Sequence, residues 1–276
     1  MSDIVYLYGF VPADTDASGA PAGIDDRPVE GVRAGSTLAL VSRLPAHAYA
    51  GGVLDSKLED LAWVAARGIA HEGVVAWAVD HAEIVPAPLF TLFSSTDALR
   101  ADIDRRADEI AATLERFRGL REWDVKLAWR ADVVSQNAAA VSDAVRGLDD
   151  EIATAAPGRR FLLERKRSDL LKTEVAGAAQ RVATQLFERL QPQVRAAVRL
   201  ELPRTGAELP VVLSAALLVT RSDEARIIEM LEGEGDALRP LGFELSFSGP
   251  WAAYRFMGAR GDAGIEASHA EGKTRD

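Results

Sequence analysis

With 276 residues, 48% of them hydrophobic and 27% charged, the chain has the composition of a folded globular protein and exceeds the roughly 100–200 residues of a typical domain, so two domains are expected. A formal net charge of -10, from 42 acidic against 32 basic residues, works against tight binding of nucleic acid or anionic lipid, which both need a basic surface. The absence of cysteine excludes a disulfide framework, a thiolate metal site and a thiol nucleophile.

The run Ile4-Val5-Tyr6-Leu7-Tyr8-Gly9-Phe10-Val11 is rich in β-branched and aromatic residues and reads as a strand inside a sheet. It has no basic flank followed by an apolar core and a small-residue cleavage site, so it does not read as a signal peptide. Residues 12–35, full of Asp, Gly, Ala and Pro, suit a loop with a short strand around Val29 to Val32; residues 37–42 make a second strand. Residues 54–78 are helical in pattern, expected as two helices broken at Gly68, with Leu58, Leu61 and Val64 forming one buried stripe. Residues 82–86 and 91–93 look extended. Ser95 or Thr96 then caps a long helix in which Leu99, Ile103, Ala107, Ile110, Leu114 and Phe117 recur three or four apart, and Gly119 ends it.

Apolar and polar residues alternate from Glu122 to Arg130, with Trp123, Val125, Leu127 and Trp129 on one face, the mark of a strand with one side buried. Helical segments are expected over about 136–155 and 160–200, separated by Pro157-Gly158, with Pro192 kinking or breaking the second. Residues 210–219 read as a central strand, 222–237 as an amphipathic helix and 243–247 as a closing strand. The fold class is α+β in two domains. Residues 1–119 form an N-terminal α+β domain; residues 120–258 form a C-terminal ferredoxin-like domain with inserted long helices. Residues 259–276 lack periodicity and are expected to be a disordered tail. The longest apolar stretch, residues 209–219, falls short of the roughly 20 residues that span a bilayer.

Few residues invite chemistry. His71-Glu72 would start a zinc-hydrolase helix motif, but Val75 stands where the second His is needed, and His47, His81 and His269 are scattered, so a core-edge or surface role is preferred and no metal is expected. No glycine cluster has the spacing of a phosphate loop, no Gly-x-Ser-x-Gly elbow occurs, and Asp149-Asp150-Glu151 reads as a helix surface. The basic run Arg159-Arg160 with Arg165-Lys166-Arg167 is read as solvent-facing. Heptads are not sustained through Gly177 and Pro192, which counts against a coiled-coil adaptor. No catalytic residue and no cofactor are expected. Trp123 and Trp129 are assigned to the core. Trp251, Tyr254 and Phe256 are interaction or lid candidates, either folding back over the core or forming an adhesive patch, and the lid is preferred.

Taken in order, Tyr6-Leu7-Tyr8-Gly9, His71-Glu72-Gly73-Val74-Val75, Val85-Pro86 with Thr91-Leu92-Phe93, Glu122-Trp123-Asp124-Val125-Lys126, Pro157-Gly158-Arg159-Arg160-Phe161-Leu162 and Gly249-Pro250-Trp251 with Tyr254 and Phe256 resemble the GvpF/GvpL family of gas vesicle proteins over residues 4–258. The resemblance implies a non-enzymatic, cytoplasmic, gas vesicle-associated accessory protein that works in assembly with the small hydrophobic shell protein and other accessory proteins, with a C-terminal domain similar to a modified ferredoxin fold. A small-molecule-binding or enzymatic α+β protein is the alternative. Two stretches depart from the family pattern. Pro88 and Leu89-Phe90 stand where the family usually has an Arg and a Phe-Gly pair, and Ala252-Ala253 stand where it usually has two prolines. Without those prolines, the closing segment is expected to be pinned by Trp251 and Tyr254 packing on the second domain, with backbone hydrogen bonds in place of proline stiffness.

Overall fold

Two antiparallel sheets follow one another along the chain, as a computed structural model describing residues 3–49, 52–203 and 209–257 shows. The expected tail, residues 259–276, lies outside the described residues. The first sheet comprises β1 (Asp3–Pro12), β2 (Glu30–Ala34), β3 (Thr37–Pro45), β4 (Val85–Pro86) and β5 (Leu92–Phe93), in the order β2-β3-β1-β4 with β5 also on β1. Between β3 and β4 lie α1 (Ala46–Tyr49), α2 (Gly52–Leu58) and α3 (Leu61–His81); after β5 come α4 (Thr96–Arg105) and α5 (Ala107–Arg116).

Strand β1 explains its own composition. Val5, Leu7 and Phe10 pack on Leu99, Ile103, Ile110 and Leu114 of α4 and α5, whereas Tyr6, Tyr8 and Val11 pack on Val74, Val75, Ala78 and Val79 of α3. A strand covered on both faces can carry a near-continuous apolar run. Between Leu7 and Gly9 the register slips by one residue, and a Cβ on Gly9 would stand 2.7 Å from the Val85 carbonyl oxygen, so this close approach needs glycine.

The second sheet comprises β6 (Leu120–Trp129), β7 (Ala196–Arg199), β8 (Val211–Thr220) and β9 (Phe243–Trp251) in the order β7-β8-β6-β9. Helices α6 (Ala131–Gln136), α7 (Ala138–Val141), α8 (Asp143–Thr154) and α9 (Pro157–Leu190) separate β6 from β7, and α10 (Glu224–Leu238) separates β8 from β9. This β-α-β-β-α-β order is ferredoxin-like. Trp123, Val125 and Leu127 of β6 face Ala179, Ala183, Leu186 and Leu190 of α9 and Ile227 and Leu231 of α10. The opposite face is covered, around Ala216 and Leu218, by Phe117, Ala253 and Phe256.

Several elements differ from the sequence reading. The helix break falls at Asp60, whose carboxylate accepts the backbone N–H groups of Ala62 and Trp63, and α3 runs on through Gly68. Leu58 and Leu61, expected as part of a buried stripe, are exposed. The helix capped by Ser95 is divided at Arg106, which keeps Leu99 and Ile103 on one side and Ile110 and Leu114 on the other against the same sheet face. Residues 196–199 form an edge strand rather than the end of a helix, because Pro192 stops α9 and β8 offers a free edge. Strand β9 reaches Trp251, beyond the expected closing strand.

The C-terminal end of α3 is held from the second sheet. Its last turn leaves carbonyls without helical partners, and the Val79 carbonyl accepts from the guanidinium groups of Arg121 (3.1 Å) and Arg221 (2.5 Å). Arg121 also pairs with Glu224 at 3.0 Å and Asp80 at 3.4 Å, and Glu224 accepts from the Trp123 indole at 3.2 Å. Two cations at a helix C-terminus oppose the partial negative charge there. Arg121→Ala, which strips Glu224 of its guanidinium, is expected to lower the unfolding free energy by about 2–3 kcal/mol, and Arg221→Ala by about 1 kcal/mol. Urea titration followed by tryptophan fluorescence measures both; negligible losses in both variants would mean that α3 is not anchored from this side.

Candidate functional site

The closing segment after β9 lies in the seam between α3 and the second sheet. Its approach is steric: a Cβ on Gly249 would stand 2.8 Å from the Trp123 ring and 2.9 Å from the Glu122 carbonyl oxygen. Ala252 then packs into the first core, and Ala253 with Phe256 into the cluster on the second sheet. Between them, Arg255 reaches back to β6. Its backbone N–H donates to Glu122 at 3.0 Å, and its guanidinium pairs with Glu122 and with Asp124 at 2.8 Å. The Glu122 side chain has 0% exposure, and this desolvation raises its pKa above the ordinary carboxylate value against the opposing pull of Arg255. Arg116 closes the far end by donating to the Met257 carbonyl at 3.0 Å.

The three aromatic candidates have different surroundings. Phe256 is buried, Trp251 is half-buried with its indole donating to the Ser248 carbonyl at 3.1 Å, and Tyr254 is 37% exposed while its hydroxyl donates to Glu72 of α3 at 3.0 Å. The expected pinning is corrected for Tyr254, which bonds α3 of the first half, whereas Trp251 stays on the second sheet, paired with Glu122 at the end of β9. The segment is held by Ala252, Ala253, Arg255 and Phe256, and Tyr254 reaches the first half of the chain. Small side chains at 252 and 253 suit a seam with helix on one side and sheet on the other. Turn hydrogen bonds Tyr254 N–H to Ala252 and Phe256 N–H to Ala253 hold the backbone.

His71 and Glu72, adjacent in sequence, point different ways on α3. Glu72 meets Tyr254, whereas His71 is buried against the rings of Tyr6 and Tyr8, which also touch each other. The Tyr6 hydroxyl is hydrogen-bonded to His71 Nδ1 at 2.7 Å and accepts the Phe90 N–H at 3.3 Å. Tyr8 donates to Ser42 at 2.9 Å and accepts the Ile24 N–H at 2.8 Å. Burial pushes the His71 pKa down to about 4, against a backbone hydrogen bond to Ala87. A neutral imidazole closed in by two rings is a core group, with no opening for substrate. Among the described residues, no group of three or more His, Asp or Glu is placed to hold a metal.

Phe90, where the family pattern has glycine, takes φ 64° and stacks on Trp63 with ring centroids 5.3 Å apart. This left-handed backbone favours glycine. The stack continues through Arg67, whose guanidinium lies 3.9 Å from the Trp63 ring and pairs with Asp25.

The most unusual surface is the outer side of α3. Leu61 is 80% exposed and Ile69 76%, and the exposed residues between Leu61 and Gly73 are Leu61, Ala62, Ala65, Ala66, Ile69 and Gly73. None is charged, because Arg67 and Glu72 are turned aside to Asp25 and Tyr254. A helix apolar on every side is ordinarily buried on every side. Sequence periodicity missed this face by assigning Leu58 and Leu61 to the core; the available signal was a helix too apolar for one buried stripe. The Arg255–Glu122 pair, 133 residues apart, left no local signal.

The family model described as gas vesicle synthesis protein GvpL/GvpF matches residues 4–258. Gas vesicle protein L of a Streptomyces species is 25% identical over 258 residues, covering 92% of each chain. Gas vesicle protein L1 of Halobacterium salinarum is 26% identical, covering 91% of this chain and 89% of its own. Crystal structures of gas vesicle protein GvpF share the fold. The protein from an Anabaena species has a TM-score of 0.66 at 15% identity, covering 96% of this chain and 100% of that one. That from Microcystis aeruginosa has a TM-score of 0.64 at 17% identity, covering 93% and 99%.

The buried histidine has a consequence in solution. Because its folded pKa is depressed, the unfolded chain binds the extra proton between pH 6.5 and about 4. The stability from burying neutral His71 is therefore complete above pH 6.5 and is lost as pH falls towards 4, by about 3 kcal/mol. Urea midpoints across this range should fall more steeply for the unsubstituted protein than for His71→Gln; parallel curves would show that His71 does not titrate this way.

Proposed function

We propose that this chain, which belongs to the gas vesicle synthesis protein GvpL/GvpF family, is a non-enzymatic accessory factor of gas vesicle assembly that binds the small hydrophobic shell protein and other accessory proteins. The family match over residues 4–258 carries this reading. In it, residues 1–119 and 120–258 act as two domains, the protein works in the cytoplasm in association with gas vesicles, and no cofactor, nucleic acid or membrane takes part. Among the described residues, no helix is long and apolar enough to cross a membrane.

The outer face of α3 is where the shell protein docks in this reading. A subunit destined to hide apolar surface in a gas-filled lattice must be kept from aggregating beforehand, and an uncharged face with Leu61 and Ile69 standing among alanines lets a helix approach closely. The chain's charge of -10 keeps such a complex from self-association. The apolar seat supplies affinity, and the acidic remainder supplies dispersion.

Co-expression with the shell protein, followed by purification through a tag on this chain, tests both levels. Shell protein should co-purify, and Leu61→Asp with Ile69→Asp should lower its recovery about tenfold, as expected when a central anchor is removed, while the melting temperature stays within a few degrees. Retention unaffected by the double variant would move the docking face elsewhere. If no shell or accessory protein co-purified and deletion left vesicles normal, the assembly role itself would fall.

A further inference from the structure

Helix α9 is far longer than the sheet it covers. Its 34 residues span about 50 Å at 1.5 Å per residue, yet its residues packed in the sheet core run only from Val175 to Leu190. The first half lies against α8 instead, with Leu163 buried, Arg167 paired to Asp149 and Arg159 to Glu151, and forms a helical hairpin beyond the sheet.

At the tip of that hairpin, Phe161 is 67% exposed and Leu162 65% exposed. Arg159 and Arg160 precede them, and Arg165 and Lys166 follow one turn later, all exposed. Little acidic charge balances these cations. Arg159 meets Glu151 only at 3.4 Å, Arg160 donates to the Ala155 carbonyl, Arg165 lies a turn before Asp169, whose bonded partner is Lys172, and Lys166 has no carboxylate partner among the described residues. Residues 159–167 thus hold five cations against the single carboxylate of Glu164, in a chain with ten more acidic than basic residues. A solvated helix face explains the cations, but not the two large apolar side chains set among them.

We propose that this tip is a second docking surface, distinct from the apolar face of α3, and that its occupant is an acidic amphipathic helix of a partner protein. Charge complementarity chooses the occupant. Carboxylates of such a helix meet Arg159 and Lys166, which share one side of α9 beside Leu162, and Arg165, one turn beyond Phe161, while its apolar stripe covers Phe161 and Leu162. An arginine-flanked aromatic is the usual composition of an interface anchor. An anionic membrane fits less well, because two apolar side chains are far fewer than an interfacial helix inserts, and the net charge repels an extended anionic surface.

The test uses the full chain and two labelled helical peptides, one with Leu and Phe along one face and Glu on both edges, the other with Lys in place of Glu. The Glu peptide should bind the unsubstituted protein by fluorescence anisotropy. Its affinity should fall about tenfold or more in Arg165→Glu with Lys166→Glu and in Phe161→Ser with Leu162→Ser. The charge-reversed protein should instead prefer the Lys peptide. Circular dichroism and melting temperature, unchanged in both variants because all four residues are exposed, separate lost binding from lost folding. Shell-protein recovery should also be unchanged in both, which separates this surface from α3. No measurable binding, equal binding of the two peptides, or binding that survives both variants would overturn the proposal, as would preferential uptake of phosphatidylserine vesicles or duplex DNA.

Discussion

A fully buried carboxylate organises the centre of this protein. Glu122 lies in the seam where α3 meets the second sheet, and an ionised carboxylate there is costly unless a cation and hydrogen-bond donors reach it. Arg255 supplies both, through its guanidinium and its backbone N–H, and can do so only if the chain after β9 turns back across β6. That return seats Ala252 in the first core and Ala253 and Phe256 in the second-sheet cluster. Electrostatics at one residue thereby fixes the path of the whole closing segment.

The same seam immobilises α3. Tyr254 holds Glu72 at mid-helix, Arg121 and Arg221 hold its C-terminal carbonyl, and the first sheet holds its inner face through Tyr6, Tyr8, Val74 and Val75. A helix fixed on its inner side and at its end presents its outer side as a rigid platform, and rigidity lowers the entropic cost of binding. In the proposed reading, this latch makes the exposed Leu61 and Ile69 a preformed seat.

Much of the architecture was legible because local signals agreed with tertiary needs. The alternation from Trp123 to Trp129 marked β6, Ser95 marked the start of α4, and Gly119, at φ 66°, marked the turn between α5 and β6. The signals that misled were those that packing overrode. Gly68 does not interrupt α3, because contacts on both sides of it hold the helix together. Residues 196–199 are rich in Ala and Arg, good helix formers, yet pair with β8 because its edge is open and Pro192 has already ended α9. The glycine of the family pattern at position 90 was a sign of positive φ, which Phe90 adopts while stacking on Trp63. The Glu122–Arg255 pair could not be seen at all, since no periodicity links residues 133 positions apart.

The central claim is that the outer face of α3 seats the shell protein. The most direct measurement places a photo-reactive amino acid at position 65, on that face, and, as a control, at position 229 on the exposed side of α10, in cells forming gas vesicles. Irradiation is expected to join the shell protein to the chain from position 65 and not from position 229. Cross-linking from position 229 alone, or from both positions equally, would contradict the claim.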